Sequence, residues 1–212
     1  RVQKNNLLKD YLKTGSSNDT LLEVYNEQLV IAGSNIIYLR KKFLKEIEKI
    51  AKEKHRIISE TEELKIDYDC SFLSNEHELE DIASAFKASL DERKQEEMRR
   101  GQACVGPHRD DVSFFINGVE AKKFASQGHQ RTVVLSLKLA ELELIKEKIE
   151  DTPVLLLDDV LAELDNIRQN YLLNAIGKET QTIITSVDTL QFDEEYLKDV
   201  EIFKIAEGAL AG

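Results

Sequence analysis

The sequence predicts an α/β protein: a parallel βαβ core towards the C-terminus, entered through a long helix, behind a mainly helical segment. Three observations carry that reading. Val154-Leu155-Leu156-Leu157 and Thr182-Ile183-Ile184-Thr185 are short apolar runs separated by a helical stretch, the spacing of a parallel unit. Residues 129–148 form a long apolar helix pattern that opens on the glycine turn Ser126-Gln127-Gly128. From about Leu21 to His55, apolar residues recur at spacings of three and four.

Composition narrows the class. The 212 residues include only two prolines and nine glycines, with 42% hydrophobic and 33% charged residues, which suits a helix-rich globular chain with a real core. No apolar run approaches the roughly 18 residues of a membrane span, and no signal-peptide core follows Arg1-Val2-Gln3-Lys4. The expectation is a cytoplasmic protein with no membrane partner. The start lacks Met and reads like a helix interior, so the chain is expected to be a fragment. Cys70 and Cys104 make no CxxC pair and read as reduced thiols. His55, His77, His108 and His129 lack metal-ligand spacing, so no structural metal is expected. A net charge of −11 excludes a surface coated in positive charge, but leaves room for a local basic face.

The elements follow in order. Leu7, Leu8, Tyr11 and Leu12 mark a first helix. Gly15 to Asp19 is a turn, with Asp19 or Thr20 as the cap of the next helix. The long pattern to His55 is interrupted by Gly33. Its later part carries Lys41, Lys42, Lys45 and Lys49 among acidic residues, either a solvated face or an edge for a nucleic-acid backbone. Leu64 to Cys70 alternates as a half-buried strand. Ser74-Asn75 caps a helix from about Glu76 to Arg99, and Arg99-Arg100-Gly101 ends it. Asp111 to Ala125 reads as a hairpin around Asn117-Gly118. Val154 to Leu157, apolar without alternation, predicts a strand covered on both faces. A helix from Asp165 to Ile176 ends at Gly177, and Val200 to Ile205 is a last strand before Gly208.

Chemistry gathers at two places. The start of the 129–148 helix offers free backbone N–H groups behind Ser126 and Gly128, an anion-binding geometry or an ordinary cap. Asp158 and Asp159 end the first core strand, where ligands collect in open α/β sheets. Paired carboxylates there either hold Mg²⁺ through water and oxygen ligands or cap a helix. Gly101 and Gly106 imitate part of a phosphate loop, but Pro107 and His108 stand where Lys and Ser/Thr are needed. No such loop occurs anywhere in the chain.

Three motifs in this order and spacing resemble ABC-type ATPase heads, and most closely the RecF family of bacterial recombination mediators: Gly106-Pro107-His108-Arg109-Asp110-Asp111, Phe124 to Thr132, and Leu155-Leu156-Leu157-Asp158-Asp159 continuing to Glu163-Leu164-Asp165. The resemblance implies an incomplete ABC-type head at residues 101–212, with a parallel βαβ core and signature helix, and a mainly α-helical arm at 1–100. It implies that Ser126, Gln127, Gly128 and His129 form the signature, meeting the γ-phosphate of ATP held by a second protomer. Asp158 would support Mg²⁺ and Asp159 would be the general base. Ala162, Glu163, Leu164 and Asp165 would be the D-loop, and Ser186 the switch position. His129 stands where glutamine is usual. Asp159 is one methylene shorter than the glutamate of many relatives. With Ser186 in place of a histidine, this implies slow turnover, a timer rather than a pump.

By the same resemblance the intact protein is a DNA-repair ATPase acting in replication, recombination and the SOS response, associated with the nucleoid. ATP would clamp a homodimer on DNA at gaps and single-strand/double-strand junctions, and the dimer would help partner mediator proteins of the RecR/RecO type load recombinase. Lys41, Lys42, Lys45, Lys49, Arg99, Arg100 and Arg109 are the DNA-contact candidates. Lacking the Walker A lobe, the 212-residue chain alone is expected neither to bind ATP tightly nor to hydrolyse it. An SMC- or Rad50-like head, and a non-catalytic module with structural aspartates, are the alternatives.

Overall fold

The computed structural model describes the chain except for residues 17, 74–77, 150, 162–163, 177–179, 188, 190–191, 193, 199 and 212. It divides into two compact units, Arg1–Leu144 and Ile145–Gly212.

In the first unit, helix α1 (Val2–Thr14) ends at Gly15, whose φ of 68° gives a left-handed C-cap. Helix α2 (Asp19–Ser59) runs 41 residues. Its cap is Asn18, not Asp19 or Thr20: the Asn18 Oδ1 accepts from the Leu21 N–H at 3.1 Å. Gly33 does not interrupt α2. The helix passes straight through it, and a Cβ there would sit 2.4 Å from the Phe86 ring. Glycine at this point permits close packing.

Strand β1 (Leu64–Asp69) pairs antiparallel with β2 (Asp111–Ile116), and β2 turns through Asn117-Gly118 into β3 (Val119–Glu120). Asn117 and Gly118 both have positive φ, 50° and 79°, as a tight two-residue hairpin requires. The hairpin is shorter than its sequence suggests. Ala121–Phe124 is a turn of helix, α5, so β3 stops after two residues.

The expected helix to Arg99 is two: α3 (Leu79–Glu92) and α4 (Lys94–Arg100), parted at Arg93. Its expected Ser74-Asn75 cap lies outside the described residues. Gly101 closes α4 with a φ of 64°.

Helix α6 (Gln127–Ile149) packs its N-terminal two-thirds onto the sheet and α2. Ile47, Ala51, Leu64, Ile66, Val133, Ala140 and Leu144 form that core. Leu8, Leu22 and Met98 make a second cluster where α1, α2 and α4 meet. Lys4 is buried beside it, with its Nζ 2.5 Å from Glu97 Oε2. Glu97 Oε1 accepts from the Cys104 N–H, so the buried carboxylate is fully engaged. The ladder between β1 and β2 crosses the residue-100 boundary expected between arm and head. Packing and that functional division therefore do not coincide.

In the second unit, β4 (Leu155–Asp158) and β5 (Thr182–Thr185) pair in parallel, Asp158 opposite Thr185, with α7 (Asn166–Ile176) as the crossover. This is the predicted βαβ unit. The strands are not covered on both faces, however. Leu156 is 69% exposed and Ile183 53%. Continuous apolar strands are usually covered on both sides, and among the described residues Leu156 and Ile183 are left open.

A short helix, α8 (Glu194–Leu197), follows. The last strand begins later than predicted. β6 (Lys204–Ala206) pairs antiparallel with β7 (Ala209–Ala211) around Glu207-Gly208, both at positive φ. Among the described residues no helix is long and apolar enough to cross a membrane.

Candidate functional site

The chemistry is built on two element ends. The first is the mouth of α6. The Ser126 Oγ accepts from the His129 N–H at 3.3 Å and lies 2.8 Å from the His129 Nδ1, an N-cap with a side-chain partner added. Ser126, Gln127 and His129 are exposed and Gly128 is half-buried, so the first turn of N–H groups faces outwards. The turn is braced from below. The Thr132 Oγ1 donates to the Gly128 carbonyl at 3.0 Å, and the Gln130 Nε2 donates to the Ala121 and Ala125 carbonyls. An outward helix start with a rigid floor suits an anion.

His129 is also tied sideways. Its Nε2 is 3.0 Å from Glu62 Oε1, and the other Glu62 oxygen is 3.0 Å from Nε2 of the fully buried His55. Neither Glu62 nor His55 stood out in the sequence. They sit 67 and 74 positions before His129, in a polar turn and on a helix face, with no motif to mark them.

The second place is the C-terminal end of β4 and β5. The Thr185 Oγ1 donates to Asp158 Oδ1 at 2.6 Å and accepts from the Asp159 N–H at 3.0 Å. One threonine thereby fixes both aspartates. Ser186, the expected switch position, is exposed at the next position. Asp159 has a φ of 53°, the left-handed region that aspartate tolerates better than most residues. Both aspartates are exposed.

Among the described residues no group of three or more His, Cys, Asp or Glu side chains is placed to hold a metal unaided. Asp158 and Asp159 fit Mg²⁺ in a different sense. Mg²⁺ takes one or two carboxylates and completes its shell with water and phosphate oxygens, and the Thr185 bond occupies only one oxygen of Asp158.

Within the expected D-loop, Ala162 and Glu163 lie outside the described residues. Leu164 and Asp165 are held firmly. The buried Gln169 donates from Nε2 to the Leu161 carbonyl at 2.8 Å and to the Leu164 carbonyl at 3.0 Å. Asp165 caps α7, accepting from the Arg168 N–H at 3.0 Å, and its carboxyl is thereby lowered below its ordinary value, with the Arg168 charge adding to the effect. Gln169 was not legible as a functional residue, since its partners are backbone carbonyls.

The Gly106–Asp111 stretch is a packed turn, not a phosphate loop. Gly106 has a φ of 127° and lies against Phe86 and the His108 ring. The Arg40 guanidinium donates to the Pro107 carbonyl at 2.6 Å, and the Tyr68 hydroxyl donates to Asp110. Burial pushes the Asp110 carboxyl above its ordinary value and, with the Asp110 charge adding, the Cys70 thiol up to about 11. Burial lowers His108.

Of the basic residues, Lys41, Lys42, Lys45 and Lys49 share α2 at spacings that set them on one face of roughly a 100° arc. Lys42, Lys45 and Lys49 are exposed. Arg99 and Arg100 lie on α4 and Arg109 in the turn before β2. Arg100 is engaged by Glu96 at 2.8 Å.

Comparison with known proteins finds relatives by sequence and by fold. No protein-family model matches the chain. It is 41% identical over 210 residues to the DNA replication and repair protein RecF of Lysinibacillus sphaericus, covering 98% of this chain and 57% of that protein. It is 43% identical over 218 residues to RecF of Rippkaea orientalis, again covering 98% of this chain and 57% of that one. A solved structure of the recombination mediator protein RecF with ATP, described within the RecFOR pathway, superposes with a TM-score of 0.85 at 34% identity. That match covers 99% of this chain and 54% of the solved one. The chain thus spans a little over half the length of the relatives it matches.

Proposed function

We propose, from the premise that this chain is of the RecF type over 98% of its length, that the intact protein is a DNA-repair ATPase that binds nucleotide between two protomers. The observation that carries the reading is the pairing of Asp158 and Asp159 at one end of a parallel sheet, both set by Thr185. In this reading Asp158 supports Mg²⁺, and the metal stabilises phosphate charge when bound. Asp159 accepts the proton of the attacking water, directly or through a second water. Ser126, Gln127 and Gly128, with His129 beside them, present the mouth of α6 to the γ-phosphate of ATP on the partner protomer. Leu164 and Asp165, with Ala162 and Glu163, form the D-loop, and Ser186 marks the switch position.

The intact protein is further proposed to work in the cytoplasm, at gapped or junction DNA, with recombination mediators of the RecR and RecO type to load recombinase. The Lys41, Lys42, Lys45 and Lys49 face of α2 is the favoured backbone contact, with Arg99, Arg100 and Arg109 as secondary candidates. A helical arm over 1–100 and a head over 101–212 is the proposed division of labour.

The signature role is tested with the intact protein by placing a bulky cation at the mouth of α6. Ser126→Arg is expected to abolish Mg·ATP-dependent dimerisation, followed by sedimentation, while leaving the monomer folded. Unchanged dimerisation would remove the trans role of α6.

A further inference from the structure

We infer that Glu62 is a positioning residue for the signature serine, acting through His129 and bracing it against the buried part of α2. The inference rests on the signature role proposed for Ser126 and goes beyond it by naming what holds that serine in place.

An ionised Glu62 can only accept hydrogen bonds. Its Oε1 faces His129 Nε2 at 3.0 Å, so that nitrogen carries a proton. In the neutral ring Nδ1 is then the acceptor, and it faces Ser126 Oγ at 2.8 Å. The Ser126 hydroxyl therefore donates to His129 while accepting the His129 backbone N–H. Glu62 selects the tautomer, and the tautomer selects the direction of the serine hydroxyl. Remove Glu62 and the exposed ring is free to turn or to exchange its proton, and Ser126 loses its fixed partner.

The other half of the carboxylate anchors the arrangement. Glu62 Oε2 faces His55 Nε2 at 3.0 Å, and the His55 side chain is fully buried. On its far side His55 Nδ1 lies 3.3 Å from Ser136 Oγ, whose own proton goes to the Thr132 carbonyl at 2.7 Å. His55 thus bridges two partners, the Glu62 carboxylate on one side and the Ser136 hydroxyl on the other. Thr132 in turn donates to the Gly128 carbonyl. The path returns to the signature turn through the floor of α6. Glu62 is only 13% exposed, so its two bonds are shielded from competing water.

The test uses the intact protein and reads the ATP concentration for half-maximal Mg·ATP-dependent dimerisation. A structural residue would lower the melting temperature without moving that midpoint. Glu62→Ala is expected to raise it about three- to tenfold, the range of one lost hydrogen bond. Glu62→Gln, which keeps one accepting oxygen for His129, should recover part of the loss. His129→Ala alone should match Glu62→Ala, and the double variant should be no worse than either, because both break one path. If Glu62→Ala does not fold, Glu62→Gln is read in its place and is still expected to raise the midpoint. A midpoint within about twofold of wild type for the folded single variants, or additive losses in the double variant, overturns the inference while Ser126→Arg still abolishes dimerisation. If Ser126→Arg leaves dimerisation intact, the signature role falls and the inference falls with it.

Discussion

Asp110 shows how single residues take their properties from distant neighbours. Its carboxylate accepts from the Tyr68 hydroxyl, and its Oδ1 is buried without a hydrogen-bond partner. Burial is the leading cause of its raised pKa. A carboxyl raised in the folded state binds its proton more tightly there than in the unfolded chain. Its contribution to stability is full below the ordinary value near 3.8 and is lost as pH rises through the folded value. Asp110→Asn removes that dependence and keeps an oxygen for Tyr68. The stability of wild type relative to Asp110→Asn, from urea unfolding between about pH 3.5 and about pH 7, should therefore fall as pH rises. A flat difference would contradict the assignment. The sequence showed Gly106 to Asp111 as a cluster without a role, because Arg40 and Tyr68 are far away along the chain. Ser126, Gly128, Asp158 and Asp159 stood out as candidates because a turn or a strand end marks them locally. Thr185, Gln169, Glu62 and His55 were not, because each acts on a partner brought near only by folding.

Elements were legible where periodicity was strong. Helices α1, α2, α6 and α7 and strands β1, β4 and β5 stand close to where apolar spacing put them. Misreadings came where packing overrides local preference. Gly33 reads as a break in α2, yet the helix continues through it, and the glycine is there because Phe86 takes the space a Cβ would need. Gly33→Ala is accordingly expected to cost about 1–3 kcal/mol through overpacking, where helix propensity alone would give a gain of roughly 1 kcal/mol. Chemical denaturation settles the sign, and a stabilised variant would show that Phe86 moves aside freely. Lys4 and Glu97 make a similar case. Lys4→Met strands a buried carboxylate and should cost about 3–5 kcal/mol in the same measurement, while a neutral result would mean that Glu97 reaches water.

At the scale of the molecule, the proposed function gives the chain two kinds of half-site. The mouth of α6 offers hydrogen-bond donors with no phosphate of their own to serve. The β4–β5 edge offers carboxylates for a metal and a water, while the 212 residues contain no phosphate loop with its lysine. The open apolar face of β4 and β5 belongs to the same picture, in a chain that spans 57% of the relative from Lysinibacillus sphaericus. The net charge of −11 confines any DNA contact to a local face. Alanines at Lys41, Lys42 and Lys45 in the intact protein should therefore weaken DNA binding and flatten its salt dependence by up to about three counterions, and an unchanged slope would remove that face. The central claim is that Asp159 serves as general base in a composite ATPase site, and Asp159→Asn in the intact protein tests it most directly. Steady-state ATP turnover should fall at least about 100-fold, the scale of a lost general base, while Mg·ATP still drives dimerisation. Turnover at the wild-type rate would contradict the account.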